Sequence, residues 1–309
     1  MDVIYDIKKI KVSARTVLVI GVFDGLHIGH QALIRKAVAK AKSIKGQVIV
    51  LTFFPHPVHV LRPDIYLPLI VSLPHRLKLI EYLGVKKCIV VRFTKAFSRL
   101  SPKSFIEQYL MKRIRPKEVF VGDDFRFGQN RSGSLDFFKQ EGERRGFRVN
   151  VLHSVKKQQG KIGSTAIRQL IMEGQLQKAA RLLGRDVSIM GKVIRGDSRG
   201  KRLGFPTANI DSGQVILPPI GVYAVRVILG AKVYEGMANI GHRPSFHSSN
   251  NRINVEVHIF DLKANLYGKE IIVEFIKKIR DERIFFSEQG LIKQLEKDEV
   301  KIRALFKKK

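Results

Sequence analysis

Two histidines three residues apart, His27 and His30, stand in the stretch "GVFDGLHIGH" from Gly21 to His30. That spacing sets both rings on one side of a helical turn. An imidazole N–H donates to a phosphoryl oxygen, more strongly when it is protonated. Gly21 and Gly25 let the backbone approach a ligand closely. Phe23 and Asp24 complete the turn, and Gly29 keeps side-chain bulk away from an adenine or a phosphate. The group reads as a cradle for a nucleotide triphosphate. Its bland alternative is a pair of surface histidines near a helix cap. Zinc needs a third ligand, and no nearby Cys cluster or HExxH helix supplies one.

A second group lies in "GKVIRGDSRGKRLGFPTANI", residues 191–210. Its glycines and basic residues, among them Gly191, Lys192 and Gly204, offer backbone N–H groups and positive charge to a polyphosphate. No G-x-x-x-x-G-K-[ST] is present, so it is not a P-loop. Thr207 and Asn209 flank Ala208, so an extended backbone points both the same way. A hydroxyl and an amide oxygen make part of a shell for Mg²⁺. They equally suit a turn of small polar residues. In "INVEVHIF", Val255, Val257 and Ile259 alternate with Asn254, Glu256 and His258. Glu256 can serve as base when an alcohol is phosphorylated, or can be an ordinary solvated strand residue.

These residues must be held by regular elements. "TVLVI" before the first histidine reads as a buried strand and "QALIRKAVAKAKSI" after it as a helix. The histidines therefore sit where a strand's carboxyl end meets a helix, the place where open α/β sheets bind ligands. Strands and helices alternate to about residue 184, which implies a parallel sheet with crossovers. "PKSFIEQYLMKRI" reads as one helix opening at Pro102. After Gly184, five short strands between turn residues imply an antiparallel barrel or sandwich. The final "SEQGLIKQLEKDEVKIRALF" is an amphipathic helix.

The 309 residues suit two domains, divided as 1–184 and 185–309, and 44% of them are hydrophobic. No apolar run reaches the roughly 20 residues of a membrane span, and the start does not read as a signal peptide. Cys88, the single cysteine, lies in "CIVV" and reads as a core residue. A soluble cytoplasmic protein is expected, with no membrane partner. The net charge of +30 favours anionic partners. Nucleic acid, nucleotide phosphates and a generally basic host proteome are the three readings of that charge. The basic residues are scattered and no RNA-binding signature appears, so small-molecule partners and no specific nucleic acid are expected. The residues set no oligomeric state.

"GVFDGLHIGH" resembles the HIGH motif of adenylyl-transferring nucleotidyltransferases. Those enzymes usually carry a second motif late in the domain, a role that "GSTAIR" (163–168) fits, with Ser164 and Thr165 as capping residues and Arg168 as a phosphate clamp. Over nearly its whole length the chain resembles the bifunctional prokaryotic riboflavin kinase/FMN adenylyltransferases. "TFFPHP", "VGDDFRFG" and "STAIR" carry that resemblance in the first half, and "GFPTANI", "ANIGHRPSF" and "VEVHIFD" in the second. It implies a Rossmann-like nucleotidyltransferase domain followed by a β-barrel kinase domain with a terminal helix. The implied chemistry is phosphorylation of riboflavin by ATP to FMN, then adenylylation of FMN to FAD with release of pyrophosphate. By the same resemblance, His27, His30 and Arg168 hold ATP phosphates. Asp123 and Asp124 lie near the flavin–nucleotide junction, Thr207 and Asn209 bind Mg²⁺ and phosphate, and Glu256 is the kinase base.

Overall fold

Every residue of Thr16–Ile20 is buried. In the computed structural model this run is β2, an inner strand of a parallel sheet. The structure describes residues 1–10, 12, 15–153, 156–157, 160–161, 163–196, 199–242 and 253–307. Asp197–Ser198 and the "RPSF" part of the 238–246 motif lie outside them.

The sheet contains β1 (Asp2–Ile4), β2, β3 (Gln47–Phe54), β4 (Lys87–Arg92), β5 (Glu118–Gly122) and β6 (Arg148–Leu152), in the order β1-β4-β3-β2-β5-β6. All its pairings are parallel. Alternate residues of a strand face opposite ways. Val17, Val19, Val50, Cys88 and Val90 therefore pack on one face with Leu33, Ile34 and Ala37 of α1 (Ile28–Ser43) and Ile80 of α3 (Leu73–Tyr82). Leu18, Ile20, Ile49 and Leu51 pack on the other with Phe105, Ile106, Leu110 and Phe138. Phe138 belongs to α6 (Leu135–Arg145). Short helices α2 (Pro57–Leu61) and α4 (Lys95–Ser98) fill connections.

The helix expected from Pro102 onward changes type. It is α5 over Pro102–Phe105 and a π-helix over Ile106–Ile114. The buried Ile106, Leu110 and Ile114 recur every fourth residue, and the wider turns of a π-helix keep that spacing on one stripe. A ribbon of β7 (Lys156–Lys157) and β8 (Gly160–Lys161) follows.

By contacts the chain forms two units, Met1–Leu67 with Leu73–Gly163, and Pro68–Ser72 with Ser164–Lys309. Helices α7 (Ser164–Met172) and α8 (Leu176–Leu183) pack within the second unit. That unit centres on a closed barrel of β9 (Val187–Ile194), β10 (Ala208–Asp211), β11 (Gly221–Leu229), β12 (Lys232–His242), β13 (Ile253–Ile259) and β14 (Glu270–Arg280). Its neighbours pair antiparallel, and β10 closes the ring between β13 and β9. Arg199–Arg202 form the single turn α9. Helix α10 (Glu288–Lys307) buries Ile302 against Phe205, Ala224, Met237 and Phe260. The loop Pro68–Ser72 joins this unit through Leu69, whose N–H donates to Gln214 and whose carbonyl accepts from Ile216.

Candidate active sites

The strand order reverses beside β2, which has β3 on one side and β5 on the other. A crevice opens at such a switch point, outside the strands' carboxyl ends. The residues that leave β2 there are Gly21–Gly25, and those that leave β5 are Asp123 and Asp124.

The turn after β2 is tightly determined. Phe23 and Leu26 have φ of 56° and 42°, and Gly25 has 79°. Gly21 must lack a side chain, because a Cβ would lie 2.6 Å from the Phe23 ring. Phe23 is buried in the core and meets His30 edge-on at 5.2 Å. The Val22 carbonyl accepts from Thr52 Oγ1 at 3.0 Å and from Arg76 Nη1 at 2.9 Å. Arg76 also donates to the Phe53 carbonyl at 3.3 Å. It is fully buried at 0% exposure, and its charge interacts with buried Asp24 and with His30. The sequence offered no hint of this: Arg76 stands in "PHRLKLI", where it resembles any basic residue of an amphipathic helix.

His27 is the N-cap of α1. Its Nδ1 accepts the His30 backbone N–H at 3.4 Å, so in the neutral ring the proton sits on Nε2. The two imidazoles stack at 3.6 Å. Gly29 serves this stack rather than open space, because a Cβ there would press on the His27 ring at 3.2 Å. His30 does not gain the added donor strength of a protonated ring. Burial first, then the His27 and Arg76 charges, hold its pKa well below the usual range. At neutral pH it is an uncharged donor.

Asp123 and Asp124 follow β5 as expected, with the Asp123 N–H bonded to the Leu152 carbonyl at 3.1 Å. A Cβ on Gly122 would lie 3.0 Å from Asp124 Oδ1. Helix α7 begins at Ser164, with Thr165 exposed. Arg168 is buried, and its Nε donates to the Pro68 carbonyl at 2.8 Å.

The second group converges on one polar patch of the barrel. The register sets Asn209 opposite Glu256 across β10 and β13, and Asn239 opposite Glu256 across β12 and β13. Two residues before Glu256 on the same strand face is Asn254. One atom joins all three: Asn254 Nδ2 donates to Asn209 Oδ1 at 2.7 Å and to Glu256 Oε1 at 3.0 Å. The alternation of "INVEVHIF" signalled Asn254, although its residue type alone pointed to no task. Asn209 is 8% exposed, whereas Thr207 is exposed and precedes the strand. A Cβ on Gly196 would lie 2.1 Å from Asn209 Nδ2. His258 holds the segment before Thr207, with Nδ1 2.8 Å from the Pro206 carbonyl. At Gly191 the close approach is to the Asp211 carbonyl of the neighbouring strand, 2.1 Å from where a Cβ would stand. Lys192 is exposed, and Gly204 takes a φ of 84°.

Two family models match the chain. The family model described as FAD synthetase matches residues 9–166, and the one described as riboflavin kinase matches 183–306. The bifunctional riboflavin kinase/FMN adenylyltransferase of Bacillus subtilis (strain 168) is 37% identical over 93% of this chain and 91% of its own. This chain belongs to that family. The Escherichia coli (strain K12) member is 38% identical over 94% of this chain and 92% of its own. A solved structure described as a macrolide-efflux protein from Streptococcus pneumoniae is 31% identical, with a TM-score of 0.83 over 97% of this chain and 98% of its own. Among the described residues no helix is long and apolar enough to cross a membrane. The family thus carries its FAD synthetase part on the parallel sheet and its riboflavin kinase part on the barrel.

Proposed function

We propose that residues 1–184 transfer AMP from ATP to FMN and residues 185–309 transfer phosphate from ATP to riboflavin. The chain makes FMN at its barrel and FAD at its sheet, with release of pyrophosphate. The observation that carries the reading is the convergence of Glu256 with Asn209 on one polar barrel patch.

The two reactions ask for different groups. FMN brings an anionic phosphate, so adenylyl transfer needs positioning and charge stabilisation rather than a base. His27 and His30 donate to the ATP phosphates from the start of α1, where backbone N–H groups and the helix dipole add to them. Arg168 clamps phosphate through its planar guanidinium, which matches two phosphate oxygens. Asp123 and Asp124 flank the flavin–nucleotide junction, and Ser164 and Thr165 contribute at the start of α7. Gly21, Phe23, Asp24 and Gly29 shape the crevice.

Riboflavin brings a neutral alcohol. Glu256 accepts its proton as the hydroxyl oxygen bonds the γ-phosphorus and the bond from that phosphorus to the β–γ bridging oxygen breaks, releasing ADP. Thr207 and Asn209 fit Mg²⁺, because both offer uncharged hard oxygens and Asn209 Oδ1 keeps a second lone pair beyond its bond to Asn254. When bound with ATP, the ion offsets negative charge on the phosphates. Gly191, Lys192 and Gly204 border the nucleotide. The partners are small molecules in the cytoplasm, with no membrane and no specific nucleic acid.

Incubation with riboflavin, ATP and Mg²⁺ followed by chromatography tests the reading. FAD as product supports both halves. FMN alone would remove the first half, and unchanged riboflavin would remove the second.

A further inference from the structure

The Asn254 carboxamide sits between two acceptors, 2.7 Å from Asn209 Oδ1 and 3.0 Å from Glu256 Oε1. Its NH₂ has two protons, and the two bonds use both. The orientation is forced, since the reversed amide would set its oxygen against two other oxygens. The same bond settles Asn209. With Oδ1 turned to Asn254, its Nδ2 turns to Gly196, where only a missing side chain leaves room.

From this geometry we infer that Asn254 is a positioning residue for riboflavin phosphorylation. It ties the base to the amide oxygen assigned to the metal and fixes their separation. The inference rests on the roles proposed above for Glu256 and Asn209. Without the bridge, Glu256 loses the bond that Asn254 gives it and Asn209 can present either end of its amide. Such supporting bonds typically hold a factor of about 10–100 in affinity or activity. Asn254 reaches this position because it stands opposite Gly241 in the β12–β13 register, so no side chain on that neighbour competes for the space.

The test uses the full chain and three variants. Asn254→Leu keeps bulk and removes both donors. Asn254→Asp keeps the shape and offers only acceptors. Asn254→Ser keeps one donor. The expected kcat for riboflavin phosphorylation falls about 10–100-fold in Asn254→Leu and at least as far in Asn254→Asp, with Asn254→Ser between them and the parent. Riboflavin affinity, read by fluorescence quenching in EDTA, stays within about threefold, and adenylylation of supplied FMN is unchanged. A packing role predicts the opposite order, with Asn254→Asp close to the parent. Parent-like phosphorylation by Asn254→Asp, or a loss under about twofold in Asn254→Leu, overturns the inference. Glu256→Gln and Asn209→Ala run alongside. If they lose phosphorylation while the Asn254 variants keep it, only the role of Asn254 falls. If they keep it, the site reading falls and takes this inference with it.

Discussion

The rings of His27 and His30 lie 3.6 Å apart and within 19° of parallel. Two charged imidazoliums would repel at that distance, and burial already disfavours charge on His30. The folded-state pKa of His30 thus lies below the unfolded value of about 6.5. As pH falls through that value, the unfolded chain takes up a proton that the folded chain refuses. Stability from neutral His30 is full above about pH 6.5 and is lost below it. Hydrogen exchange at the amides of β2 and α1 should accelerate between pH 7 and 5 beyond the intrinsic rate change. In His30→Gln that excess should shrink.

The two reactions separate by mutation. Glu256→Gln should lower riboflavin phosphorylation by about 10²–10⁴-fold, while supplied FMN is still converted to FAD. His30→Ala should do the reverse. Initial rates of each half-reaction read this directly, and an equal loss in both would refute independent sites.

Arg76 pins the turn between the strand and the histidines through the carbonyls of Val22 and Phe53. Arg76→Met keeps most of the bulk and cannot bond either. Misplacement by an ångström costs catalysis about 100-fold. Adenylyl transfer should therefore fall by at least about tenfold, with riboflavin phosphorylation at the parental rate. A variant with parental FAD synthesis would show that the turn holds itself.

Gly196→Ala drives a methyl group into Asn209 Nδ2. Asn209 must shift, and phosphorylation should drop by about tenfold or more while adenylylation continues. A crystal structure of the variant would show the displaced amide.

The charge of +30 implies RNA binding that salt abolishes. Filter binding across a salt series should show affinity falling by about 10³-fold or more between 50 and 200 mM. Sequence-selective affinity surviving at physiological salt would argue for a nucleic-acid partner.

The inner strands of the sheet were legible as unbroken apolar runs, and the barrel strands and longer helices by apolar residues that repeat with periods near two or four. "TVLVI" and "QVIVLTFF" could hardly be anything but buried strands. The short β1 escaped notice, since three residues, "DVI", carry no period. So did the π-helix, because apolar residues four apart also fit an ordinary α-helix. At the sites, residue types announced His27, His30, Asn209 and Glu256. Arg76 was invisible: its role depends on β2, β3 and α3 meeting, and one sequence does not record that meeting. Asn254 was visible as part of an alternation, but its bridge exists only once β10 lies beside β13.

The barrel closes through β10, a strand of four residues held between β13 and β9. Closure leaves that ring with no open edge, so a second chain has no unpaired ladder to extend. The parallel sheet stays open, ending in β1 and β6, of three and five residues. Their shortness limits the template they present. Strand-to-strand aggregation of this protein would therefore start from its sheet and spare the ring, and FAD synthesis would fail before FMN synthesis as damaged copies accumulate.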